Sequence, residues 1–209
     1  MHYRIDSIRD KFYGLEWYEV YDLIEFLINN VRDSVTYSRV SGSRSTQGDF
    51  IAAIGTILQE ERAPYKIIDG RIIPLTSETE VAEIERALNV DDKYRAIRNH
   101  LGKALELYSK RPTPDYSNSI KESISAVEAL ARIVLGDERA TLGNLADQLS
   151  IHPAFKEAIK KLYGWTSDDS GIRHSEKSVS LQVDSEEARF MLVACSTFVN
   201  YIIAKYDSS

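Results

Sequence analysis

Apolar residues recur at intervals of three or four through most of the chain beyond residue 91, and this periodicity restricts the possible folds more than any other feature. It is clearest between Tyr116 and Leu135, where the apolar positions are Ile120, Ile124, Val127, Ala131 and Val134. Such spacing puts one apolar stripe on an α-helix, and Gly136 is of a type that often ends one. Similar spacing predicts helices over Asp92–Lys110, Thr141–Leu149, Pro153–Tyr163 and Asp184–Lys205. We therefore predict a mainly α fold, organised as a helical bundle.

Two helices are predicted near the N-terminus. Helical spacing covers Leu15–Val31 and Asp49–Arg62, and Pro64 is expected to end the second helix. The stretch Val35–Gln47 between them is rich in Ser, Gly, Thr and Arg, so we predict a loop there. On the second helix, the predicted buried side consists of Ile51, Ile54, Ile57 and Leu58.

A β-hairpin is predicted between Tyr65 and Pro74. Two short β-branched runs flank Asp69-Gly70 there. This dipeptide suits a type I′ turn because both central residues of the turn need a positive φ. A further helix is predicted after this hairpin, with Thr76 or Ser77 as its N-cap. The fold class is therefore mainly α with one small β-hairpin in the N-terminal part.

Composition limits the class of protein. Of the 209 residues, 43% are apolar and 28% are charged, as in ordinary globular domains. The single cysteine, Cys195, excludes an internal disulfide, and no apolar run approaches the ~20 residues of a membrane span. We predict a cytoplasmic protein with no membrane association. Its two predicted domains are an N-terminal helical region with the hairpin at residues 1–90 and a helical bundle at residues 91–209.

Charge is distributed unevenly along the chain. The formal net charge is −6, which argues against non-specific nucleic-acid binding over the whole surface. Residues 91–183 carry 14 Lys and Arg against 13 Asp and Glu, whereas residues 1–90 carry 10 against 15 and residues 184–209 carry 2 against 4. Any anion site is therefore expected within residues 91–183.

The polar stretch from Gly164 to Ser175 is the segment that packing explains least. We predict an irregular region from Gly164 to Val183 between two helices, and such loops often carry function. Within it, Arg173 and His174 are adjacent. Arginine offers phosphate a permanent planar cation, and histidine transfers protons near neutral pH, so the two could serve a phosphodiester. In the alternative reading, Arg173 pairs with a nearby aspartate and His174 caps a helix.

Polar side chains on two helices are candidate supporting residues. Asn200 lies within an apolar run and needs a hydrogen-bond partner if it is buried. It could orient a residue of the loop or tie two helices together. A second set repeats at intervals of three or four on one helix, so its members share a face: Lys121, Ser125, Glu128 and Arg132. A solvated face with an intrahelical ion pair is the alternative for this stripe.

Other chemistry-bearing residues give weaker signals. Arg95 and His100 have the spacing R-x4-H, but five helical positions turn through about 500°, so their side chains do not share a face. His152 precedes Pro153 and suits a loop or cap position. Cys195 lies in an apolar run and is expected to be an inert core thiol.

Several common catalytic motifs are missing from the sequence. It has no Gly-rich phosphate loop, no paired-cysteine zinc spacing, no HExxH and no GxSxG. Its four histidines stand at distant positions and do not suggest a metal cluster. We therefore predict no metal and no cofactor, so any catalysis would be metal-free.

Stretches of the sequence resemble the AbiJ-like abortive-infection proteins. In the C-terminal part these stretches are PDYSNSIKESISAVE (114–128), LYGWTSD (162–168), GIRH (171–174) and ARFMLV (188–193). In the N-terminal part they are WYEVYDLIE (17–25) and the predicted hairpin at residues 65–75. Together they touch most of the chain.

The resemblance implies a HEPN-like C-terminal domain, a bundle of four or five helices that is often dimeric and is found in phage-defence and toxin systems. Active members of that class are metal-independent RNases. Their arginine and histidine, near the start of the last helix, meet the pair of a second subunit. Carried over, this implies Arg173 and His174 as catalytic residues. The usual motif separates the two by four to six residues, whereas they are adjacent here.

The candidate residues and the family resemblance together leave two candidate functions. The first is a homodimeric RNase effector of abortive infection, with RNA as substrate and an antitoxin or a phage-derived trigger as further partner. The second is a non-catalytic HEPN-like module that senses a nucleotide or a protein partner. The negative net charge and the motif spacing favour the second, and cleavage of RNA distinguishes the two.

Overall fold

The structure, a computed structural model, describes residues 10–30, 34–35, 44–45, 47–167 and 183–206. The fold is mainly α with a small antiparallel hairpin, as predicted. The chain forms two compact units. Unit 1 comprises Met1–Thr76 with Arg111–Thr113, and unit 2 comprises Ser77–Lys110 with Pro114–Ser209. The predicted division after residue 90 differs from this one in two places: residues 77–90 lie in unit 2, and Arg111–Thr113 lies in unit 1.

The described part of unit 1 includes two helices of fourteen residues and two pairs of short strands, and residues 10–13 are also helical. The two longer helices and the strands are α1 (Trp17–Asn30), β1 (Ser34–Val35), β2 (Arg44–Ser45), α2 (Gln47–Glu60), β3 (Lys66–Ile68) and β4 (Arg71–Ile73). Strands β1 and β2 are antiparallel partners at the two ends of the predicted loop. A strand of two residues is too short to show an alternating pattern, so periodicity could not predict this pair.

The β3–β4 hairpin forms at the predicted position. Asp69 and Gly70 both have positive φ, 49° and 72°, as a type I′ turn requires. Ile68 pairs with Arg71 on either side of them. The side chain of Asn29 at the end of α1 donates a hydrogen bond to the Gly70 carbonyl at 3.0 Å. The turn is therefore held by α1 as well as by its own backbone.

Helix α2 ends at Glu60, four residues before Pro64. Arg62 has a φ of 53°, and the amide of Ala63 donates to the Leu58 carbonyl at 2.9 Å. This left-handed C-terminal turn satisfies a carbonyl at the end of the helix before Pro64 is reached. Leu58 is buried as predicted, but the prediction for Ile57 is wrong, because its side chain is 52% exposed.

Unit 2 is a set of packed helices around a central one. It contains α3 (Glu78–Leu88), a short 3-10 helix (Asp92–Tyr94), α4 (Arg95–Ser109), α5 (Tyr116–Leu135), α6 (Leu142–Gln148), α7 (Pro153–Ser167) and α8 (Ser185–Tyr206). Helix α5 packs against α4, α6, α7 and α8, and α3 packs against α8. Every helix predicted after residue 75 is present, although several bounds differ by a few residues.

The central helix α5 has the predicted bounds because both of its ends are specified locally. The Asp115 side chain accepts a hydrogen bond from the Asn118 amide at 3.1 Å, and Gly136 takes the left-handed conformation with a φ of 63°. Between them, Ser119 is fully buried and its hydroxyl donates to the Ala104 carbonyl of α4 at 2.8 Å. Small buried residues of this kind let α4 and α5 approach closely.

Helix α8, the last helix of unit 2, contributes a largely buried apolar face to its core. Among the described residues it is also the helix that is long and apolar enough to cross a membrane by length and composition, although the sequence showed no uninterrupted apolar run of that length. Its fully buried side chains include Met191, Leu192, Val199 and Ile202. Since this face packs against α3 and α5, the apolar character of α8 is accounted for by the interior of a folded unit.

Candidate functional site

The predicted catalytic pair, Arg173 and His174, lies outside the described residues. The structure describes the two helices that precede and follow it in the chain. Helix α7 ends at Ser167, so the predicted irregular region does not begin at Gly164. Leu162 and Trp165, three positions apart, continue the apolar spacing of α7 and explain its extra turn.

Glu128 is at the centre of a polar network between α5 and α7. It is 9% exposed, and the Tyr163 hydroxyl donates to its Oε1 atom at 2.6 Å. The Arg132 guanidinium, one turn along α5, stands 3.7 Å from its Oε2 atom. We call these residues the Tyr163–Glu128–Arg132 network. The solvated face considered for this stripe is therefore wrong at Glu128, although the intrahelical ion pair does form.

The other members of the stripe are used differently. Lys121 and Ser125 are half-buried, and the Ser125 hydroxyl donates to the Lys121 carbonyl at 2.9 Å. This hydrogen bond lies within α5 and occupies the hydroxyl locally. The equal spacing of the four residues therefore does not produce one continuous polar site.

Asn200 connects two helices. It is 6% exposed, and its Nδ2 atom donates to the carbonyl and to the carboxylate of Glu83, at 2.9 and 2.8 Å. A polar side chain in an apolar run thus has the partner that burial requires. Of the two roles considered for Asn200, the described contacts support the one that ties α8 to α3.

The contacts and burial of the remaining candidates, two histidines and one cysteine, indicate structural roles. His100 on α4 stands 2.7 Å from Glu122 on α5, with about a third of each side chain exposed. His152 accepts a hydrogen bond from the Ala154 amide at 3.2 Å, as a residue at the start of α7. Burial raises the pKa of the Cys195 thiol to about 12, which confirms an inert thiol. Within the described ranges, no group of three or more metal-ligating side chains is found.

Sequence reasoning missed an ion-pair cluster around a buried arginine in unit 1. The Arg111 side chain is 8% exposed and stands 2.9 Å from Asp22 and 2.7 Å from Glu25. It also donates to the Ile72 carbonyl at 3.0 Å, while the Ile72 amide donates to Glu25 at 2.6 Å. Because Arg111 and Asp22 are 89 positions apart, no local pattern could have paired them. We call these residues the Arg111 cluster.

The comparisons with known proteins concern mainly the N-terminal part. Residues 2–90 match the family model described as AbiJ N-terminal domain 4. No curated protein and no solved structure matched the chain. The family match supports an AbiJ-like protein, in agreement with the resemblance found in the sequence. It does not extend to residues 91–209, which include most of unit 2.

Proposed function

We propose that this chain is an effector of abortive infection whose C-terminal part acts as a HEPN-type, metal-independent RNase. The observation that carries the defence role is the match of residues 2–90 to an AbiJ N-terminal domain. Support for the RNase comes from the sequence resemblance around GIRH (171–174) and from the position of those residues in the chain, before the long last helix α8.

The proposed reaction needs a base, an acid and a group that stabilises phosphate charge. The ribose 2′-oxygen attacks phosphorus and the bond to the 5′-oxygen breaks, which leaves a 2′,3′-cyclic phosphate and a 5′-hydroxyl. His174 removes the proton of the 2′-hydroxyl or delivers a proton to the leaving 5′-oxygen, and the His174 of the second subunit or a water molecule carries out the other transfer. Arg173 stabilises the negative charge that accumulates on the phosphate oxygens. Glu128, which accepts the Tyr163 hydroxyl of α7, and Asn200 of α8, which donates to Glu83, act indirectly by supporting the helices on either side of the loop. The described contact of Lys121 lies within α5, so its supporting role rests on the sequence alone.

A cytoplasmic homodimer is part of the proposal. In the class that the sequence resembles, the arginine and histidine pairs of two subunits meet at one cleft. Light scattering at micromolar concentration measures the mass, and a monomer with full RNase activity would contradict this part of the proposal.

The RNase is tested with purified protein and total RNA in excess EDTA. Three proteins are compared: the unchanged chain, the double variant Arg173→Ala/His174→Ala, and the double variant Arg95→Ala/His100→Ala. The second pair is a matched control because it removes the same two residue types from α4. We expect cleavage with 2′,3′-cyclic phosphate ends, abolished in the first variant and retained in the second.

Two results would count against the RNase. One is equal cleavage by the unchanged chain and the Arg173→Ala/His174→Ala variant, which would indicate a contaminating nuclease or another site. The other is no cleavage by any of the three proteins at high concentration. Loss of activity only in the Arg95→Ala/His100→Ala variant would transfer the catalytic role to α4.

The second candidate function is a non-catalytic sensor of a nucleotide or a protein partner. It is favoured by the net charge of −6 and by the adjacency of Arg173 and His174, which departs from the usual spacing. A ligand that binds only the folded state adds RT ln(1 + [L]/Kd) to the free energy of unfolding and so raises the melting temperature. A melting temperature that rises with the logarithm of the concentration of a nucleotide or a phage-derived protein, without RNA cleavage, is expected for a sensor. No shift with any of them would exclude it.

A further inference from the structure

Unit 2 contains an apolar pocket of about 480 Å³ that the proposed RNase chemistry does not use. Its walls come from four helices, α5, α6, α7 and α8. None of its lining residues is Lys, Arg, Asp, Glu or His. Side chains from three of the helices form the inner part: Ile124, Val127, Ile159, Leu162, Met191 and Cys195. A concave site of this size and composition is typical of small-molecule binding, for which volumes of about 300–1,000 Å³ are usual.

Aromatic side chains stand at the edge of the pocket. Phe155 of α7 is 48% exposed and Tyr201 of α8 is 37% exposed, and their ring centroids are 6.3 Å apart. Phe198 lies 6.4 Å from the Tyr201 ring. Apolar surface left in contact with water beside a cavity is costly, and an occupant that continues the apolar wall would reduce that exposed area.

The lining also determines which charge an occupant can carry. An ion in this pocket would lose hydration without finding an oppositely charged partner in the lining, which is strongly unfavourable. The Tyr163 hydroxyl, on the wall of the pocket, already donates to the carboxylate of Glu128, so an anionic head would meet negative charge behind it. Thr197 and Tyr201 contribute hydroxyl groups that could bond to one uncharged polar atom.

We propose that this pocket binds an uncharged, largely apolar small molecule with a single hydroxyl or carbonyl group, such as a long-chain alcohol or amide. The apolar body lies among the inner side chains, and the polar atom stays near the hydroxyl groups of Thr197 and Tyr201. The proposal is independent of RNA cleavage. The pocket would bind its ligand equally in the Arg173→Ala/His174→Ala variant, so the failure of one proposal does not affect the other.

Binding is tested with N-phenyl-1-naphthylamine, an uncharged apolar dye whose fluorescence rises out of water. We expect saturable binding of one dye per chain. Dodecanol below its solubility limit should displace the dye, while dodecanoate at pH 8 should need a concentration more than about tenfold higher, because its carboxylate has no partner in the lining. Equal displacement by the alcohol and the carboxylate would overturn the proposed ligand class.

Substitutions in the pocket test whether the dye binds there. Ala194→Phe puts a large side chain into the pocket from α8, and Thr197→Phe does so from an exposed position on the same helix. Ala158→Phe is the matched control, because Ala158 is exposed on α7 and does not line the pocket. We expect at least one of the two pocket variants to fold, as judged by far-UV circular dichroism, and to bind the dye about tenfold more weakly. The control should bind as the unchanged chain does.

Two outcomes would overturn the proposal. One is fluorescence that rises without saturation, which indicates non-specific adsorption to exposed apolar surface. The other is equal dye affinity in the unchanged chain and in both folded pocket variants, which would place the bound dye elsewhere on the molecule.

Discussion

Glu128 and Glu122 are two carboxylates of α5 in contrasting surroundings. The Glu128 side chain is 12% exposed and accepts the Tyr163 hydroxyl at 2.6 Å, whereas the Glu122 side chain is 32% exposed and stands 2.7 Å from His100. The two distances are nearly equal. Their energetic consequences are not, because water competes for the exposed pair and screens it, and has little access to the buried one.

The first prediction compares these two glutamates. Glu128→Ala should lower the free energy of unfolding by about 1–3 kcal/mol, because it removes the hydrogen bond of 2.6 Å that the Tyr163 hydroxyl donates to this carboxylate. Glu122→Ala should lower it by less than about 1 kcal/mol. Urea unfolding is followed by Trp165 fluorescence in a Trp17→Phe background, since these are the only two tryptophans. Equal losses in the two variants would contradict the assigned burial.

The second prediction concerns alkaline pH. Burial raises the pKa of Cys195 from 9.0 to about 12, and burial with the nearby Tyr116 raises that of Tyr108 from 10.0 to about 12. As the pH rises above 9, the unfolded chain releases these protons before the folded one does. The contribution of these two groups to the free energy of unfolding is therefore fully present below pH 9 and is lost progressively between pH 9 and 12.

Urea midpoints at pH 8 and pH 10.5 measure that loss. Cys195→Ala should show a smaller decrease between the two pH values than the unchanged chain, with Tyr108 responsible for part of what remains. If the decrease is the same with and without the thiol, Cys195 is not buried as described.

Among the elements, those specified by neighbouring residues could be predicted from the sequence. Helix α5 has its expected bounds because Asp115 and Gly136 define its ends, and the β3–β4 turn forms because Asp69-Gly70 accepts positive φ. The β1–β2 pair, the Arg111 cluster and the contact of Tyr163 with Glu128 join distant residues, so periodicity could not predict them. Arg173 and His174 remain a prediction from family resemblance.

The third prediction tests the hairpin turn. A methyl group on Gly70 would lie 2.5 Å from the Asn29 side-chain oxygen, and the φ of 72° is unfavourable for an L-residue. Gly70→Ala should therefore lower the free energy of unfolding of unit 1 by about 1–2 kcal/mol. Gly55→Ala, in α2 of the same unit, has no atom within 4 Å of its added methyl group. That control should raise stability by about 0.5–1 kcal/mol, since alanine favours helix more than glycine does.

Both glycine variants are measured by urea unfolding with Trp17 as the only tryptophan, in a Trp165→Phe background. The two variants are expected to change the free energy of unfolding in opposite directions, whereas a general effect of added apolar volume would change it in the same direction in both. A stabilising Gly70→Ala would mean that the turn does not have the left-handed geometry described.

For the molecule as a whole, the path of the chain between its units is the notable feature. The chain leaves unit 1 after Thr76 and continues in unit 2 to Lys110. The three residues Arg111–Thr113 then belong to unit 1, and the chain returns to unit 2 at Pro114. The short connection between α4 and α5 thus supplies unit 1 with the guanidinium of the Arg111 cluster.

The fourth prediction measures that contribution. Arg111→Ala leaves Glu25, whose side chain is 18% exposed, without its cation, and removal of one partner from a buried pair costs about 3–5 kcal/mol. Arg98→Ala is the control, because Arg98 and Asp92 are 38% and 92% exposed and their pair is expected to contribute less than about 1 kcal/mol. Unfolding is followed by far-UV circular dichroism, which reports both units, because Arg111 belongs to unit 1 and Arg98 to unit 2. An Arg111→Ala variant as stable as Arg98→Ala would exclude a structural role for the cluster.

Unit 1 therefore cannot be isolated whole by cutting the chain at a single position. A fragment that stops at Thr76 or at residue 90 carries Asp22 and Glu25 but lacks the arginine that neutralises them, so its poor solubility or partial folding would say nothing about the intact first unit. Adding a synthetic peptide that spans Arg111–Thr113, or rejoining the termini so that this stretch follows residue 76, would restore the missing cation.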